Sequence, residues 1–414
     1  MEDSLMARAR ILIEQNRYAD AEEILRQALK QDPYSAYTLS MIAEVNLHLN
    51  KMEEAETAIN SAIAVAPHIA HLYYLKARVY LEKKQYNDAE KYLQQAIAMD
   101  PQNAHFFAVY ANLKLVKKDF SAALDLANKA LDLDASDLLA LNMRSTALFK
   151  LGNKEDAFQT IEGALREDPD NAYTHANYGW KLLEKGDHKK SLEHFREALR
   201  INPFSDFARA GMVEALKAGN PVYRLFLKYS FFMSNLTAKY QWAVIIGFYL
   251  CTRVLNTLAQ SDEMLGTILT PVVILLSLFA FSTWVLTPLS NLFLRLNKYG
   301  KYLLTKEERL SANFVGISLL IFIAALAMWL IAGGSGWAAL AIFGFTMMVP
   351  LSVMFTGTKP KYMLPVYAAA MAFTGIAGVT TAFVTGEINS KFAVIYILGF
   401  IALQWVTNFI RIRQ

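Results

Sequence analysis

The stretch YNDAEKYLQQAIAMDPQNAHFFAVYANLKLVKKDF, residues 86–120, contains one complete unit of the pattern that decides the fold. Pro101 divides it into two helix-forming runs, because a proline cannot extend the hydrogen-bond ladder of the helix before it. Ala96 stands five residues before that proline, Ala89 twelve before, and Ala111 ten after. Working outward in both directions, the same punctuation returns every 34 residues. Prolines recur as Pro33, Pro67, Pro101, Pro169 and Pro203, with Ala135 in the one gap. Ala28, Ala62, Ala96, Ala130, Ala164 and Ala198 keep the first alanine register, and Ala21, Ala55, Ala89, Ala123, Ala157 and Ser191 the second. Ala43, Ala77, Ala111, Ser145 and Gly179 keep the third. Small residues at fixed spacing let two antiparallel helices approach closely. Turns such as QNRY (15–18), KKQY (83–86) and KKDF (117–120) supply the reversal, so each unit predicts a helical hairpin.

A fixed period of this length is the signature of a stacked-repeat protein. The pattern resembles the tetratricopeptide repeat family over residues 2–203 as six repeats, with DFARAGMVEALKAGN (206–220) as a closing helix. The resemblance implies a right-handed superhelix whose first helices line a concave groove, and a protein or peptide ligand in that groove. Tyr37, Ser40, Glu44 and His48 share one helical face, as do His71, Tyr74, Arg78 and Glu82 one repeat later. The same face continues through His105 and Asn112, then Asn142, then Tyr173, Trp180 and Glu184. The candidate partner-binding residues are therefore Tyr37, His71, Tyr74, Arg78, His105, Asn112, Asn142, Tyr173 and Trp180, with aromatic rings as anchors and Asn or Arg to fix backbone or carboxylate groups. Family members that capture a chaperone's C-terminal carboxylate use a Lys and Asn clamp. Met6, Arg10, Met41, His71 and Leu75 do not match it.

Composition changes sharply along the chain. The first 220 residues hold 27 Lys+Arg against 32 Asp+Glu, whereas the remaining 194 hold 14 against 5. An acidic solenoid argues against nucleic acid as its partner, since phosphate binding needs clustered positive charge. Cys251 is the single cysteine, so intramolecular disulfides and cysteine-based metal sites are excluded, and no metal or other cofactor is expected. All seven histidines precede residue 220. The opening MEDSLMARARILIEQ has acids at its second and third residues and no apolar core, which does not match a secretory signal.

After Pro221 the segment VYRLFLKYSFFMSN (222–235) mixes Arg224 and Lys228 with aromatic residues, as an interfacial helix would; a last amphipathic solenoid helix packed on the preceding repeat is compatible with the same residues. Six apolar runs follow at 241–259, 266–290, 313–332, 337–355, 363–384 and 392–410, each long enough to cross the hydrocarbon core. The third and fourth are separated only by GGSG (333–336), so a re-entrant pair stays open. Segments on the solenoid side carry 13 basic residues, from Lys217 through Lys298, Lys301, Lys359 and Lys361 to Arg413, against Lys391 alone on the other. That asymmetry predicts a cytoplasmic solenoid and C-terminus. Pro271, Pro288, Pro350 and Pro365 are candidates to kink or end spans, and Thr305 with Glu308 spells a capping box for a short helix before the third span. The small-residue tracts 333–336 and 368–378 favour close helix packing within the chain or in homo- or hetero-oligomers.

Arg253 is the one ionisable residue at membrane depth, and so a candidate functional residue, although its side chain is near enough to the outer end to snorkel. The loop 295–313 offers five basic residues to anionic lipid or to the acidic solenoid. No phosphate loop, nucleophile elbow or two-histidine metal motif is present.

The expectation is an all-α chain: a tetratricopeptide superhelical solenoid over 1–220, an interfacial amphipathic linker helix over 221–240 and a transmembrane helical bundle of about six spans over 241–414. Its expected role is that of a non-enzymatic scaffold or adaptor in a bacterial cytoplasmic membrane. The alternative is a small transporter or lipid-handling module regulated by the solenoid, for which Arg253, Asn256, Thr283, Asn291, Gln404 and Asn408 are the polar material.

Overall fold

The structure is a computed structural model that describes residues 2–261, 263–296, 304–355 and 362–412. It is entirely helical over the described residues. Six hairpins come first: α1 (Glu2–Glu14) with α2 (Tyr18–Gln31), α3 (Ala36–His48) with α4 (Met52–Val65), and α5 (Ala70–Glu82) with α6 (Tyr86–Met99). They continue as α7 (Ala104–Val116) with α8 (Phe120–Leu133), α9 (Leu138–Lys150) with α10 (Lys154–Glu167), and α11 (Ala172–Lys185) with α12 (His188–Ile201). α13 (Asp206–Lys217) and α14 (Pro221–Asn235) follow. Six further helices follow among the described residues: α15 (Ala238–Ser261), α16 (Glu263–Leu296), α17 (Lys306–Ala332), α18 (Ser335–Val353), α19 (Met363–Thr385) and α20 (Lys391–Ile412). The chain forms two compact units, Met1–Lys181 with Glu193–Ser205, and Leu182–Leu192 with Asp206–Gln414.

In the first unit the alanine registers are the contact surfaces. Ala21, Ala55, Ala89, Ala123 and Ala157 are wholly buried, as are Ala28, Ala62, Ala96, Ala130 and Ala164. Gly179 marks the tightest approach, where an added Cβ would lie 2.9 Å from the Phe195 ring. Ser145 keeps its register by donating its hydroxyl to the Ala157 carbonyl at 2.6 Å. Each hairpin reverses through a left-handed residue at the same place in the repeat: Asn16, Asn50, Lys84 and Lys118 at φ 58 to 61°, then Gly152 and Gly186 at φ 94 and 102°. Glycine and asparagine suit that region, whereas a lysine there carries a steric cost.

A charged ladder on the second helices also repeats. Glu22 pairs with Lys51 at 2.6 Å and Arg26 at 2.7 Å. Glu56 pairs with Lys83 and accepts from Tyr80 at 2.8 Å. Glu90 holds Lys114 and Lys117, each at 2.6 Å, and accepts from Tyr110 at 2.7 Å. The ladder ends where Leu124 replaces the next glutamate and packs with Leu148, Phe149 and Ala157.

In the second unit α14 buries Tyr223 and Leu227, and the Tyr223 phenol donates to Glu214 on α13 at 2.7 Å. Burial first, and then Glu214, push that phenol above its ordinary pKa. Among the described residues, four helical segments are long and apolar enough to cross a membrane: Lys239–Ser261, Lys306–Ala332, Ser335–Val353 and Met363–Thr385. The other two expected spans fall on α16 and α20, where side chains including those of Thr283, Gln404 and Asn408 lie outside the described residues. Lys298, Lys301, Lys359, Lys361 and Arg413 also lie outside them.

The GGSG break is real, with Gly333 and Gly334 at φ 65 and 88°, and it separates two distinct helices. The Thr305–Glu308 capping box forms, but it starts the 27-residue α17 directly and not a separate short helix, because no breaker follows it. Pro271 and Pro288 end nothing; both lie inside the 34-residue α16. The small-residue tracts make close contacts within the chain: an added Cβ at Gly336 or Gly375 would lie 2.4 Å from Phe383 or Phe343.

Candidate functional site

Two cavities lie side by side along the first helices of the solenoid and share Glu44. The first, of 360 Å³, is walled by α1, α3 and α5 and lined by Arg10, Glu14, Tyr37, Ser40, Glu44 and His71 over an apolar floor that includes Ile13, Met41 and Leu72. The second, of 430 Å³, is lined by Glu44, Tyr74, Arg78, Glu82, His105 and Asn112, with Leu81, Val109 and Leu139 beneath. A 34-residue register places equivalent faces of successive first helices next to one another, which is why residues so distant in sequence meet here.

The polar groups are pre-arranged. Arg10 lies over the Tyr37 ring, 5.4 Å from its centroid, and its Nε donates to the Tyr37 hydroxyl at 3.0 Å. Tyr37 itself is half exposed. Arg78 lies over Tyr74 at 5.8 Å and pairs with Glu44 at 3.2 Å. Cations over aromatic faces hold both rings and guanidinium groups in fixed planes. Tyr74 is buried, stacked on Phe106 at 5.1 Å, and its hydroxyl lies 3.0 Å from His105 Nε2. Burial raises the Tyr74 phenol above its ordinary pKa. The other His105 ring nitrogen lies 3.6 Å from Asp137, which caps α9 by accepting from the Ala140 N–H at 2.7 Å. Burial pushes the Asp137 carboxyl upward, but His105 and the capping N–H groups outweigh it and hold the group below its usual value. Loss of surrounding water lowers the His71 pKa, partly opposed by Glu44.

Six of the nine expected groove residues, Tyr37, His71, Tyr74, Arg78, His105 and Asn112, thus line the paired cavities. The other three lie elsewhere. Asn142 is only 1% exposed and belongs to a buried network between α9 and α11. It donates to Thr174 at 2.8 Å and accepts from Asn177 at 2.8 Å, while Lys181 donates to Asn177 at 2.7 Å and Thr146 at 3.0 Å. That position is corrected from a groove contact to a core contact, because its amide is spent on the Leu138 carbonyl of its own helix at 2.7 Å and on Thr174 and Asn177 of α11. Trp180 packs edge-on against the buried Phe195 at 5.6 Å, and Tyr173 is exposed on the first turn of α11. Glu184, on the same helix, accepts from Asn235 at 2.8 Å.

Arg10 and Glu14 are the groove residues that a reading for a carboxylate clamp passes over. The signal was present, since Arg10 and Glu14 stand one repeat before Glu44 and His48 in the register. In the second unit Arg253 is exposed and donates to Tyr249 at 3.2 Å, one turn away on α15. No hydrogen bond joins it to Asn256 or Asn291 among the described residues. Among those residues, too, no group of three His, Cys, Asp or Glu is placed to hold a metal ion. The arrangement suits recognition of a polypeptide: fixed rings, two oriented guanidinium groups and uncommitted carboxylates along an open trough.

Models of the tetratricopeptide repeat match residues 12–79, 70–103 and 142–206. Among solved structures the chain is similar to a tetratricopeptide repeat protein from Parabacteroides merdae, at 16% identity over 52% of this chain and 84% of that one, with a TM-score of 0.47. It is similar to PilF of Pseudomonas aeruginosa at 19% identity, over 51% of this chain and 97% of that one, with a TM-score of 0.41. It is also similar to YrrB, described as a TPR protein with an unusual peptide-binding site, at 22% identity over 44% of this chain and 95% of that one, with a TM-score of 0.32. No curated protein matches the chain.

Proposed function

The solenoid segment of this chain belongs to the tetratricopeptide repeat family, whose members are generally non-enzymatic mediators of protein interaction, and from that premise we propose that the chain is a membrane-anchored scaffold. It recruits a peptide segment of a partner protein through the trough on α1, α3, α5, α7 and α9. The observation that carries this reading is the pair of adjoining cavities joined at Glu44, each with a guanidinium group held over a tyrosine ring. Such pre-organisation lowers the entropy cost of binding.

The apolar helices supply the anchor, and the basic bias of the segments on the solenoid side supports a cytoplasmic solenoid in a bacterial inner membrane. The small-residue contacts of α17, α18 and α19 serve as the packing surface of that anchor. The test is site-specific crosslinking in intact membranes from a photoreactive residue at Ser40, comparing the native chain with Arg10→Ala and Arg78→Ala. Loss of one discrete crosslinked partner in both variants, with the helical content intact, is the expected result. An unchanged crosslinking pattern overturns the trough as the binding site.

A second reading, a transport or lipid-handling module, has one supporting observation. A 290 Å³ cavity lined by α18, α19 and α20 holds a hydroxyl pair, Thr346 and Tyr396 at 2.7 Å, among mostly apolar walls that also include Asn389. Retention of full cellular function by a soluble solenoid fused to an unrelated membrane anchor would eliminate it.

A further inference from the structure

One face of α15 turns polar toward its C-terminal end. Arg253, Asn256, Thr257 and Gln260 stand at i, i+3, i+4 and i+7 and so share a face, and Tyr249 extends it by one turn toward the N-terminus. All five side chains are exposed. The helix packs on α16, and its half-buried residues, among them Val244, Phe248, Leu255 and Ala259, lie on a different face. Further toward the N-terminus the exposed face is apolar, through Trp242, Ile245 and Ile246. Little of the stripe's bonding capacity is used within the chain. Arg253 Nη1 donates to the Tyr249 hydroxyl at 3.2 Å, and the Thr257 hydroxyl donates to the Arg253 carbonyl at 3.0 Å. Among the described residues no hydrogen bond engages the Asn256 or Gln260 amide, and no carboxylate pairs with Arg253.

The direction of the guanidinium bears on what answers its charge. Arg253 lies eight residues from Ser261, about 12 Å along the helix, and fourteen from Lys239, about 21 Å. A side chain reaching for lipid headgroups would turn toward the nearer end, whereas this one is bound to Tyr249, one turn away from it. Helical side chains lean toward the N-terminus of their helix, which favours that direction. A guanidinium left unpaired at such a depth is costly. A second copy of the chain does not supply the missing charge. The five acidic residues after Pro221 are Asp262, Glu263, Glu307, Glu308 and Glu387, which stand between helices or in a first turn. A two-fold contact on this face would also set Arg253 against Arg253.

We propose that this stripe is the docking surface for a membrane-spanning helix of a different protein, one that carries a single Asp or Glu at the depth of Arg253 and apolar residues against Trp242 and Ile245. The proposal rests on the membrane anchor inferred above and gives that anchor a partner contact of its own, separate from the trough. The carboxylate accepts from the guanidinium N–H groups that Tyr249 leaves free, a charge-assisted contact strengthened by the absence of water. Asn256 and Gln260 extend it with amide hydrogen bonds of the kind that join helices within bilayers.

The test uses the full chain in phosphatidylcholine vesicles with synthetic leucine–alanine helices of about 23 residues, long enough to span. The helices carry Glu, Gln or Leu at about the depth of Arg253, beside a photoreactive residue, and the yield of crosslinks to α15 is read by mass spectrometry. The Glu helix should crosslink about 10-fold more than the Leu helix. Arg253→Gln should bring it down to the Leu level, and Arg253→Glu should move the preference to a helix carrying Lys. Arg10→Ala should leave the yield unchanged, which separates this surface from the trough. Equal yields for the Glu and Leu helices, or a Glu yield that survives Arg253→Gln, overturn the proposal. So does loss of the Glu yield when phosphatidylglycerol replaces part of the phosphatidylcholine, which assigns the guanidinium to an anionic headgroup, and so do crosslinks joining α15 of two copies in place of the helix. Release of the native chain from the vesicles by alkaline carbonate overturns the membrane anchor along with this surface; retention without a preference for the Glu helix overturns this surface alone.

Discussion

Replacing Glu90 with glutamine removes the charge at the most heavily loaded rung of the solenoid ladder. Burial pushes the Glu90 carboxyl upward, but donation from Lys114, Lys117 and Tyr110 outweighs it and lowers the pKa from 4.5 to about 2. The side chain is 18% exposed and its two lysine partners 17% and 31%, so solvent screens the cluster only in part. A depression of that size corresponds to about 3 kcal/mol of folding stability at neutral pH. Glutamine retains an acceptor for one donor, so the expected loss is about 1–3 kcal/mol. Because a stacked-repeat chain is stabilised by nearest neighbours, the loss should be local to α6 and α7.

Hydrogen exchange of the detergent-solubilised full chain should therefore quicken in those two helices by roughly 5- to 150-fold at neutral pH, with α1 and α2 unchanged. The pH dependence follows from the direction of the shift. The folded-state pKa is depressed, so the contribution is complete above the unfolded value near 4.5 and is lost as pH falls toward about 2. The difference between the native chain and Glu90→Gln should shrink over that window and vanish below it. Equal exchange of α6 and α7 in the two proteins at neutral pH, or a difference that persists unchanged at pH ~2, would refute the assignment.

Lys84 holds a φ of 59° where two later repeats have glycine, so Lys84→Gly should stabilise the chain by about 0.5–1 kcal/mol in denaturant titration. Gly179→Ala places a methyl group 2.9 Å from the buried Phe195 ring and should destabilise by about 1–3 kcal/mol, read as faster exchange in α11 and α12. Asn142→Ala removes the 2.8 Å side-chain acceptor of the buried Asn177 amide, leaving it the longer 3.4 Å bond to the residue-142 carbonyl, and should cost about 1–3 kcal/mol in thermal unfolding; a near-neutral outcome would contradict its place in the core network. Arg253→Ala removes an exposed side chain whose side-chain partner is Tyr249, and helical content and melting temperature should change by less than about 0.5 kcal/mol equivalent.

Sequence by itself determined the solenoid. A period of 34 carried by Pro33, Pro67, Pro101, Pro169 and Pro203 and by the alanine registers is a local signal repeated six times, and burial of Ala21 through Ala157 follows directly from it. Composition likewise marked the apolar helices, since span length and hydropathy are properties of contiguous residues. Tertiary structure alone decided which polar side chains face the trough and which close the core. Asn112 and Asn142 carry the same amide on the same expected face, yet one lines a cavity and the other lies between α9 and α11, because Thr174 and Asn177 are near enough only after the helices stack. The same applies to the ladder from Glu22 to Glu90, whose lysine partners lie in the following repeat. Periodicity sets the positions of backbones; the distances between side chains on different helices, which fix pairing, burial and charge, arise only when those backbones are packed together.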